Sequence, residues 1–303
     1  MKFIHRALSR LYPKIIYSIG MSHILNLRSK YKNIKNINDL DFKIYSQNGE
    51  DGIIDYLLHS LNIVKPKFVE IGVGDYSECN TRFIFERTGA KGLIIDCIEN
   101  FSKKILKNIK LWRGDLTALE MFISSDNINS ILEKKLFNKS LDLFSLDIDG
   151  VDYWVLEKLP KNFSKIAILE FNSTFGFKNE ITVPNKKKFD RSKYHYSNLC
   201  YGASLKAIIN LMKEKNFVFI GTDLHRVNAF FVLKKYIKKI KLNIPKDKDL
   251  KKFTNSNIRE SRSRKKSLTY LSGKKKIEII GNCTVVDVSH TKNKTLKIKD
   301  VFK

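Results

Sequence analysis

The sequence predicts an α/β fold with a seven-stranded, mostly parallel sheet that ends in an antiparallel hairpin. Three observations predict it. From about residue 66, short apolar runs alternate with longer helical stretches, as in parallel strands joined by crossover helices. The first apolar run ends in a glycine turn that leads toward a helix. The last two runs follow each other with no helical stretch between them, which is typical of an antiparallel hairpin.

Each strand and helix is predicted from its apolar pattern and from the residues at its two ends. The predicted strands cover residues 67–71, 92–97, 109–113, 141–148, 165–171, 217–222 and 227–233. A helix is predicted from Ser77, whose hydroxyl can cap its first turn, to just before Gly89, a residue that suits a helix end. Apolar residues at helical spacing predict two more helices over residues 152–159 and 203–215.

Three parts of the chain are expected from composition. They are a basic amphipathic segment over residues 1–40, the α/β domain over residues 41–235 and a basic extension over residues 236–303. Within the domain, residues 173–200 show no clear period and are interpreted as an insertion. In the extension, a weak strand pair is predicted around residues 277–280 and 284–288.

Composition and charge narrow the class of protein. The chain has 303 residues, of which 43% are hydrophobic and 29% charged, and this excludes wholesale disorder. Its net charge is +26, and residues 234–303 carry +16 of it. Charge this dense favours an anionic partner: nucleic acid, an acidic lipid surface or a phosphorylated glycan. The alternative is compositional drift toward Lys, Ile and Asn, which AT-rich genomes produce.

Cysteine spacing and hydropathy predict a cytoplasmic protein. The four cysteines lie far apart and form no CxxC pair, which argues against a disulfide framework or structural zinc and fits a reducing compartment. No stretch has the ~18 uninterrupted apolar residues of a membrane-spanning helix. The N-terminal segment is expected to pack on the domain, with a position on a membrane as the alternative. The basic extension is a candidate attachment to the anionic inner face of the membrane.

A glycine turn follows the first predicted strand, in the stretch Glu70-Ile71-Gly72-Val73-Gly74. An acid on the strand and two glycines after it let the backbone approach a ligand closely. A phosphate-cradling loop would need more glycines or a Lys-Ser/Thr pair. The motif predicts a binding loop, and an ordinary strand-to-helix turn is the alternative.

An acid-rich segment ends the fourth predicted strand. Alternation along a strand puts Asp147 and Asp149 on the same side, and Glu170 and Asn172 end the next strand along the chain. This edge of an open α/β sheet is where ligands bind. Close carboxylates either share a proton or bind a hard cation such as Mg²⁺ or Mn²⁺. The structural alternative is an acid network that caps helices and organises loops.

These motifs resemble those of the FkbM-type S-adenosylmethionine (SAM)-dependent methyltransferases. Residues 147–150 and 155–156 are similar to the family's pattern of Asp, an apolar residue, Glu or Asp, and Gly before a helix that ends in Val-Leu. The glycine turn is similar to its cofactor loop, although Tyr76 stands where a further glycine is usual. The resemblance covers roughly residues 42–235, and its segments 46–52, 201–205 and 228–231 resemble a branch found among bacterial surface-glycan genes.

The resemblance implies the Rossmann-like SAM-methyltransferase fold, SAM as cofactor and methyl transfer to oxygen. Glu70, Gly72 and Gly74 match the family's cofactor loop, and Glu70 would orient the ammonium group of SAM. From their places after the second and third predicted strands, Asp96, or Glu99 if the strand runs longer, would accept hydrogen bonds from the ribose, and Asp115 would meet the adenine amino group. For each acid alone, a solvated strand end is the alternative. Gln47 would belong to the wall of the site, with capping of a turn as the alternative.

The predicted function is O-methyl transfer to a sugar or phosphosugar of a surface polysaccharide. Asp149 and Asp147 are the candidate catalytic carboxylates, alone or through a cation that they hold with Glu170 and Asn172. His195 is a further candidate base, although a lone histidine in a loop is more often incidental. One rival is an RNA methyltransferase, but no Asn-Pro-Pro-Tyr-type motif and no regularly interleaved aromatics support it. The other rival is a non-catalytic glycan- or lipid-associated protein that retains the fold.

Overall fold

Seven of the ten strands form one sheet at the centre of the structure, a computed structural model that describes residues 2–109, 114–254, 256, 260–289 and 293–302. The strands are β1 (Lys67–Ile71), β2 (Lys91–Asp96), β3 (Asp115–Glu120), β4 (Leu143–Leu146), β5 (Ile166–Glu170), β6 (Ile181–Thr182), β7 (Phe217–Thr222), β8 (Asn228–Leu233), β9 (Thr284–Asp287) and β10 (Lys294–Lys297).

The strand order of the main sheet is β3-β2-β1-β4-β5-β8-β7. β1 to β5 pair in parallel, and β8 is antiparallel to both β5 and β7. Counted along the chain within this sheet, the order is 3-2-1-4-5-7-6 with a terminal hairpin. This is the Rossmann-like fold of class I SAM-dependent methyltransferases, as the sequence predicts. The order reverses at β1 and β4, and open α/β sheets bind ligands at the carboxyl ends of strands beside such a reversal.

Helices cover both faces of the sheet, and the two faces contribute to separate hydrophobic clusters. The helices are α1 (Lys2–Lys30), α2 (Glu50–Ser60), α3 (Arg82–Thr88), α4 (Phe101–Asn108), α5 (Ile128–Lys134), α6 (Asp152–Lys158), α7 (Arg191–Tyr194), α8 (Leu205–Glu214), α9 (Lys274–Ile280) and α10 (Ile298–Val301). Among the helices that the structure describes, none combines the length and the apolar composition that a bilayer crossing needs.

The second half of α1 packs on the α/β domain. Ile24 is fully buried, and Gly20 lies so close to Ile44 and Phe83 that a Cβ there would be 2.7 Å from Ile44 Cγ1. Arg28 forms a two-pronged ion pair with the buried Asp55, at 2.7 and 2.9 Å. The segment before residue 41 is therefore joined to the domain by both apolar and charged contacts.

The basic C-terminal part packs against the domain and pairs with one of its strands. Four of its side chains belong to the main hydrophobic cluster and are almost completely buried: Leu250, Ile280, Val285 and Ile298. β9 pairs with β6, which lies in the segment expected to be an insertion, and with β10. Residues 173–200 and the C-terminal part thus form a second, three-stranded sheet.

Three local predictions differ from the structure. Helix α3 begins at Arg82, and the hydroxyl of Ser77 donates to Asp75 instead of capping a helix. Residues 277–280 end a helix, α9, and do not pair as a strand, while residues 284–287 form β9 as expected. The third strand begins at Asp115, and most of the segment predicted for it, residues 110–113, lies outside the described residues.

Candidate active site

The glycine loop after β1 lies between the ends of the neighbouring strands. Gly72 has φ +83° and donates its N–H to the carbonyl of Ile95 at the end of β2, at 2.9 Å. On its other side, a Cβ on Gly72 would stand 1.5 Å from the carbonyl oxygen of Asp147. Only glycine fits this position, because both the backbone conformation and the space exclude a side chain. Gly74 has φ +57° and faces open space.

A cavity of about 360 Å³ opens above this loop, and we call it the glycine-loop cavity. It is lined by the carboxyl ends of β1, β2, β3 and β4, including Gly72, Gly74 and Asp96, and by Phe189 from the segment 173–200. Its volume lies within the ~300–1,000 Å³ of typical small-molecule sites.

Asp96 borders this cavity, where the sequence predicts a cofactor contact. Its Oδ2 accepts the N–H of Gly74 at 2.8 Å, and its Oδ1 accepts the N–H of Ile98 at 3.1 Å. Each oxygen keeps lone pairs beyond these bonds, so the carboxylate can accept hydrogen bonds from a ligand as well. Asp96 therefore links the conformation of the glycine loop to the cavity beside it.

Asp115 lies at the amino ends of the parallel strands, and the glycine-loop cavity lies at their carboxyl ends. Its predicted contact with an adenine ring is therefore corrected. It is the first residue of β3, and its carboxylate is 3.0 Å from the ammonium of Lys91 at the start of β2. The carboxyl end of β3 instead brings Met121, Phe122 and Ile123 to the glycine-loop cavity. These three apolar side chains, with Ile98 and Phe189 among the others of the lining, could contact a flat ring.

Glu70 supports the loop from beneath and is not among the described residues that line the cavity. Its Oε1 accepts the N–H of Asn80 at 2.8 Å, and its Oε2 accepts the N–H of Thr81 at 2.9 Å and the Thr81 hydroxyl. The side chain therefore holds the two residues that lead into α3, which begins at Arg82. The predicted contact with the ammonium group of a cofactor is therefore replaced by a role in holding the loop and the helix.

Free energy of unfolding is expected to fall between pH ~5 and ~8, because burial gives several acids, Glu70 and Asp223 among them, a higher pKa in the folded chain. Burial raises the pKa of Glu70 from 4.5 to about 7, and burial together with Glu50 raises the pKa of Asp223 from 3.8 to about 7. In this interval the folded state binds more protons than the unfolded state. The stabilisation that protonated Glu70 and Asp223 contribute is complete below their unfolded pKa values and is lost as the pH rises through 7. The loss is on the order of 1 kcal/mol per pH unit for each group.

Urea unfolding at several pH values measures this effect. Glu70→Gln removes one titrating group and should make the dependence less steep. Burial alone would raise the pKa of Asp55, but the Arg28 guanidinium lowers it below 3.8. Asp55 therefore makes stability rise with pH, but only at pH values below this interval. Stability that rises with pH over the measured interval would contradict the assignment.

Three carboxylates meet where β4 and β5 end. Oxygens of Asp147, Asp149 and Glu170 lie within 4.8 Å of one another. Glu170 is only 6% exposed, and its Oε2 has no hydrogen-bond partner among the described residues. Burial and the neighbouring carboxylates raise the pKa of Asp147 and of Glu170 well above the ordinary range. The cluster therefore favours a shared proton or a bound cation.

Asp152 has a different role from the other two acids of its segment. Its two oxygens accept the N–H groups of Ile148 and Gly150, both at 2.9 Å. These bonds hold a tight turn in which Asp149 adopts φ +54°, a conformation uncommon for a residue with a side chain. Asp152 positions Asp149 and does not belong to the cluster itself.

Arg191, at the start of α7, is paired with the cluster. Its Nη1 is 2.6 Å from Asp149 Oδ1, and its Nη2 is 3.4 Å from Glu260 Oε2. Its guanidinium lies over the ring of Tyr201, 5.2 Å from the ring centre. Burial raises the pKa of Asp149, and Arg191 opposes this rise. Neither Arg191 nor Glu260 was expected from the sequence, because long loops separate both from the acidic motif.

A second cavity, of about 140 Å³, lies on the other side of the carboxylates, and we call it the polar cavity. Asp147 and Asp149 line both cavities. The other polar and aromatic side chains in its wall include Gln47, Glu170, Tyr201, Arg226, Glu260 and Lys276. Gln47, predicted to contact a cofactor, thus lines the polar cavity, and the C-terminal part of the chain supplies some of the wall.

Two further predicted site residues are engaged elsewhere. Asn172 accepts the N–H of Thr174 at 3.0 Å and donates to the carbonyls of Leu199 and Tyr201, both at 2.9 Å, so its amide connects loops. It is not among the described residues that line either cavity, and its role as a cation ligand stays a prediction. His195 is not among the described residues that line either cavity. Its Nδ1 is 2.7 Å from the hydroxyl of Ser197, and the predicted role of His195 as a base has no support from its position.

Comparisons with known proteins return fold likeness alone. No protein-family model matches the sequence, and no curated protein matches it. A SAM-dependent methyltransferase from Aquifex aeolicus is matched over 65% of this chain and 96% of its own, at 10% identity and a TM-score of 0.35. Human N-acetylserotonin methyltransferase, in complex with SAM, is matched over 58% of this chain and 49% of its own, at 13% identity and a TM-score of 0.32.

A pericyclic reaction enzyme is matched over 58% of this chain and 46% of its own, at 12% identity and a TM-score of 0.34. The chain thus spans less than half of the length of this protein and of the human enzyme. Likeness at these identities and TM-scores says nothing of activity, since one fold hosts many reactions. The strand order identifies the fold, and the residues of the site indicate the function.

Proposed function

We propose that the protein is a SAM-dependent O-methyltransferase that acts on a hydroxyl of a sugar or phosphosugar in a surface polysaccharide. The observation that carries the proposal is the meeting of the glycine-loop cavity and the polar cavity at Asp147 and Asp149. Methyl transfer needs a cofactor and an acceptor held in line across a short gap, with water excluded. Two cavities that share one wall of carboxylates suit that requirement.

The glycine-loop cavity fits SAM on the chemistry of its lining. Gly72 and Gly74 leave the backbone accessible, Asp96 offers a carboxylate to ribose hydroxyls, and Met121 and Phe122 offer apolar contact to the adenine. When bound, SAM supplies an electrophilic methyl group on a sulfonium. The chain's part is to orient the cofactor and to keep its methyl group facing the carboxylates.

The polar cavity suits the reacting end of an acceptor. At about 140 Å³ it is smaller than a typical ligand site, so it would take one sugar hydroxyl and its surroundings, with the remainder of the acceptor outside. Asp149 is the better candidate base of the two shared carboxylates, because its ion pair with Arg191 favours the ionised form that accepts a proton.

A divalent cation fits the same carboxylates. The oxygen set of Asp147, Asp149 and Glu170 suits Mg²⁺ or Mn²⁺, and the buried Glu170 Oε2 lacks a hydrogen-bond partner among the described residues. A cation held there would lower the cost of forming an oxyanion on the acceptor. Sharing of a proton between Asp147 and Glu170 is the metal-free alternative.

The glycan acceptor is proposed from the sequence resemblance, and the same holds for the family assignment. A cytoplasmic location, with attachment to the anionic inner face of the membrane, is proposed from the charge of the C-terminal part. Nucleic acid is the less favoured partner, since the C-terminal part lacks regularly interleaved aromatic residues on which bases could stack.

Asp96→Ala is expected to weaken SAM binding about tenfold or more. The substitution removes charge-assisted hydrogen bonds to ribose, each worth ~1.5–3 kcal/mol, together with the bond that holds Gly74. Calorimetric titration with SAM measures the effect. Asp115→Ala is the matched control, because it removes the same side chain at the opposite edge of the sheet. Equal affinity in both variants and the wild type would remove the cofactor assignment.

A further inference from the structure

Arg191 joins three parts of the chain at the boundary between the cavities. It is paired with Asp149 in the turn after β4, with Glu260 in the C-terminal part, and with the ring of Tyr201 before α8. Of the two ion pairs, the one with Asp149 is the shorter, at 2.6 Å against 3.4 Å for the one with Glu260. Its side chain is 26% exposed, so it can exchange partners without crossing a packed core.

The pairing occupies a carboxylate that a cation at the cluster would also use. Of the three carboxylates whose oxygens lie within 4.8 Å, Asp149 is the one held by Arg191. A guanidinium and a divalent ion cannot both neutralise this carboxylate at short range without repelling each other. Glu260 and Tyr201 give the guanidinium a place to remain when its contact with Asp149 is lost.

We propose that Arg191 is the exchangeable counter-ion of Asp149: it neutralises this carboxylate in the absence of a divalent cation and yields it when the cation binds. After the exchange, Arg191 stays on Glu260 and Tyr201 and faces the polar cavity. The inference depends on the cation site proposed above. Arg191 is in this sense a positioning residue, since it sets the charge state and the availability of Asp149.

The exchange can be followed in the wild-type protein by modification with phenylglyoxal, which reacts with accessible guanidinium groups. Mg²⁺ should raise the rate at which Arg191 is modified, by several-fold, because the ion pair with Asp149 protects it. Peptide mass spectrometry separates this site from Arg82, the internal control. Arg82 has an ion pair with Glu86 at 3.1 Å and lies over the ring of Tyr45, and its rate should not change. A rate at Arg191 that Mg²⁺ leaves unchanged or lowers would overturn the proposal.

Affinity for Mn²⁺, measured by electron paramagnetic resonance, gives an independent test. Arg191→Met should bind Mn²⁺ about tenfold more tightly than the wild type, while Arg82→Met should bind it as the wild type does. Glu260→Gln, an exposed change that leaves packing intact, should bind it more weakly, since Arg191 then loses its second partner. Equal affinities in Arg191→Met and the wild type would contradict the exchange.

A complete lack of Mn²⁺ binding in every variant would remove the cation site and this inference with it. The proposed methyltransferase function would survive that outcome, because calorimetry with SAM and Asp96→Ala tests it separately.

Discussion

Gly72→Ala is expected to lower the free energy of unfolding by more than ~3 kcal/mol and to abolish SAM binding. A Cβ at this position would stand 1.5 Å from the carbonyl oxygen of Asp147, which is backbone and cannot rotate away. The residue also has φ +83°, where alanine is strained. Relief requires β1 and β4 to separate at the edge where both cavities open. Urea unfolding and calorimetry with SAM measure the two effects.

Gly74→Ala is the control, because it places the same methyl group two residues further along the same loop. Its φ is +57°, but nothing lies within 4 Å of the added Cβ. The expected cost is therefore the backbone term alone, ~1–2 kcal/mol. Comparable losses of stability in the two variants would show that the close approach of the loop to Asp147 does not matter.

The main sheet was predictable because its signals are local. The first strand, residues 67–71, has the predicted bounds, and so does the first strand of the hairpin, β7. Each is a short apolar run, and in β1 it is bounded by a charged residue and by glycine, which favours a strand. The terminal hairpin needs only the absence of a helical stretch between two runs.

Long-range contacts decide where prediction fails. Helix α3 begins at Arg82, later than predicted, and the two residues before it are held by Glu70, a strand residue about ten positions earlier in the sequence. The third strand was predicted to end at residue 113 but begins at Asp115, so Asp115 lies at the amino end of this strand and not after its carboxyl end. Ile277, Ile279 and Ile280 have side chains common in strands, yet they form a helix, since packing against the main hydrophobic cluster overrides propensity.

The acidic part of the site was predictable in part. Alternation and strand ends indicate Asp147, Asp149 and Glu170, which the structure brings together. Arg191 and Lys276 carry no such periodicity, because loops and the C-terminal part bring them to the polar cavity. The charge of the C-terminal part predicts an anionic partner. It does not indicate that Glu260 and Lys276 of this part line the polar cavity.

Asp149→Asn is expected to lower the rate of methyl transfer by ~10²-fold or more, with SAM affinity retained. The substitution keeps the shape of the side chain but removes the carboxylate that accepts a proton or holds a cation. Methyl transfer from labelled SAM to surface-polysaccharide precursors measures the rate. Asp115→Asn, at the opposite edge of the sheet, controls for the loss of one acidic charge.

Removal of divalent ions distinguishes the two mechanisms that the cluster allows. If Asp147, Asp149 and Glu170 hold a cation, a chelator should abolish transfer, and Mg²⁺ or Mn²⁺ should restore it. If Asp149 acts alone as base, the chelator should have no effect, yet Asp149→Asn should remain slow. Asp147→Asn then separates the cases further: it removes a ligand in the first mechanism, whereas in the second it leaves Asp149 paired with Arg191 and competent. Full activity in both Asn variants, with acceptor supplied, would mean that these carboxylates serve the fold and not the reaction.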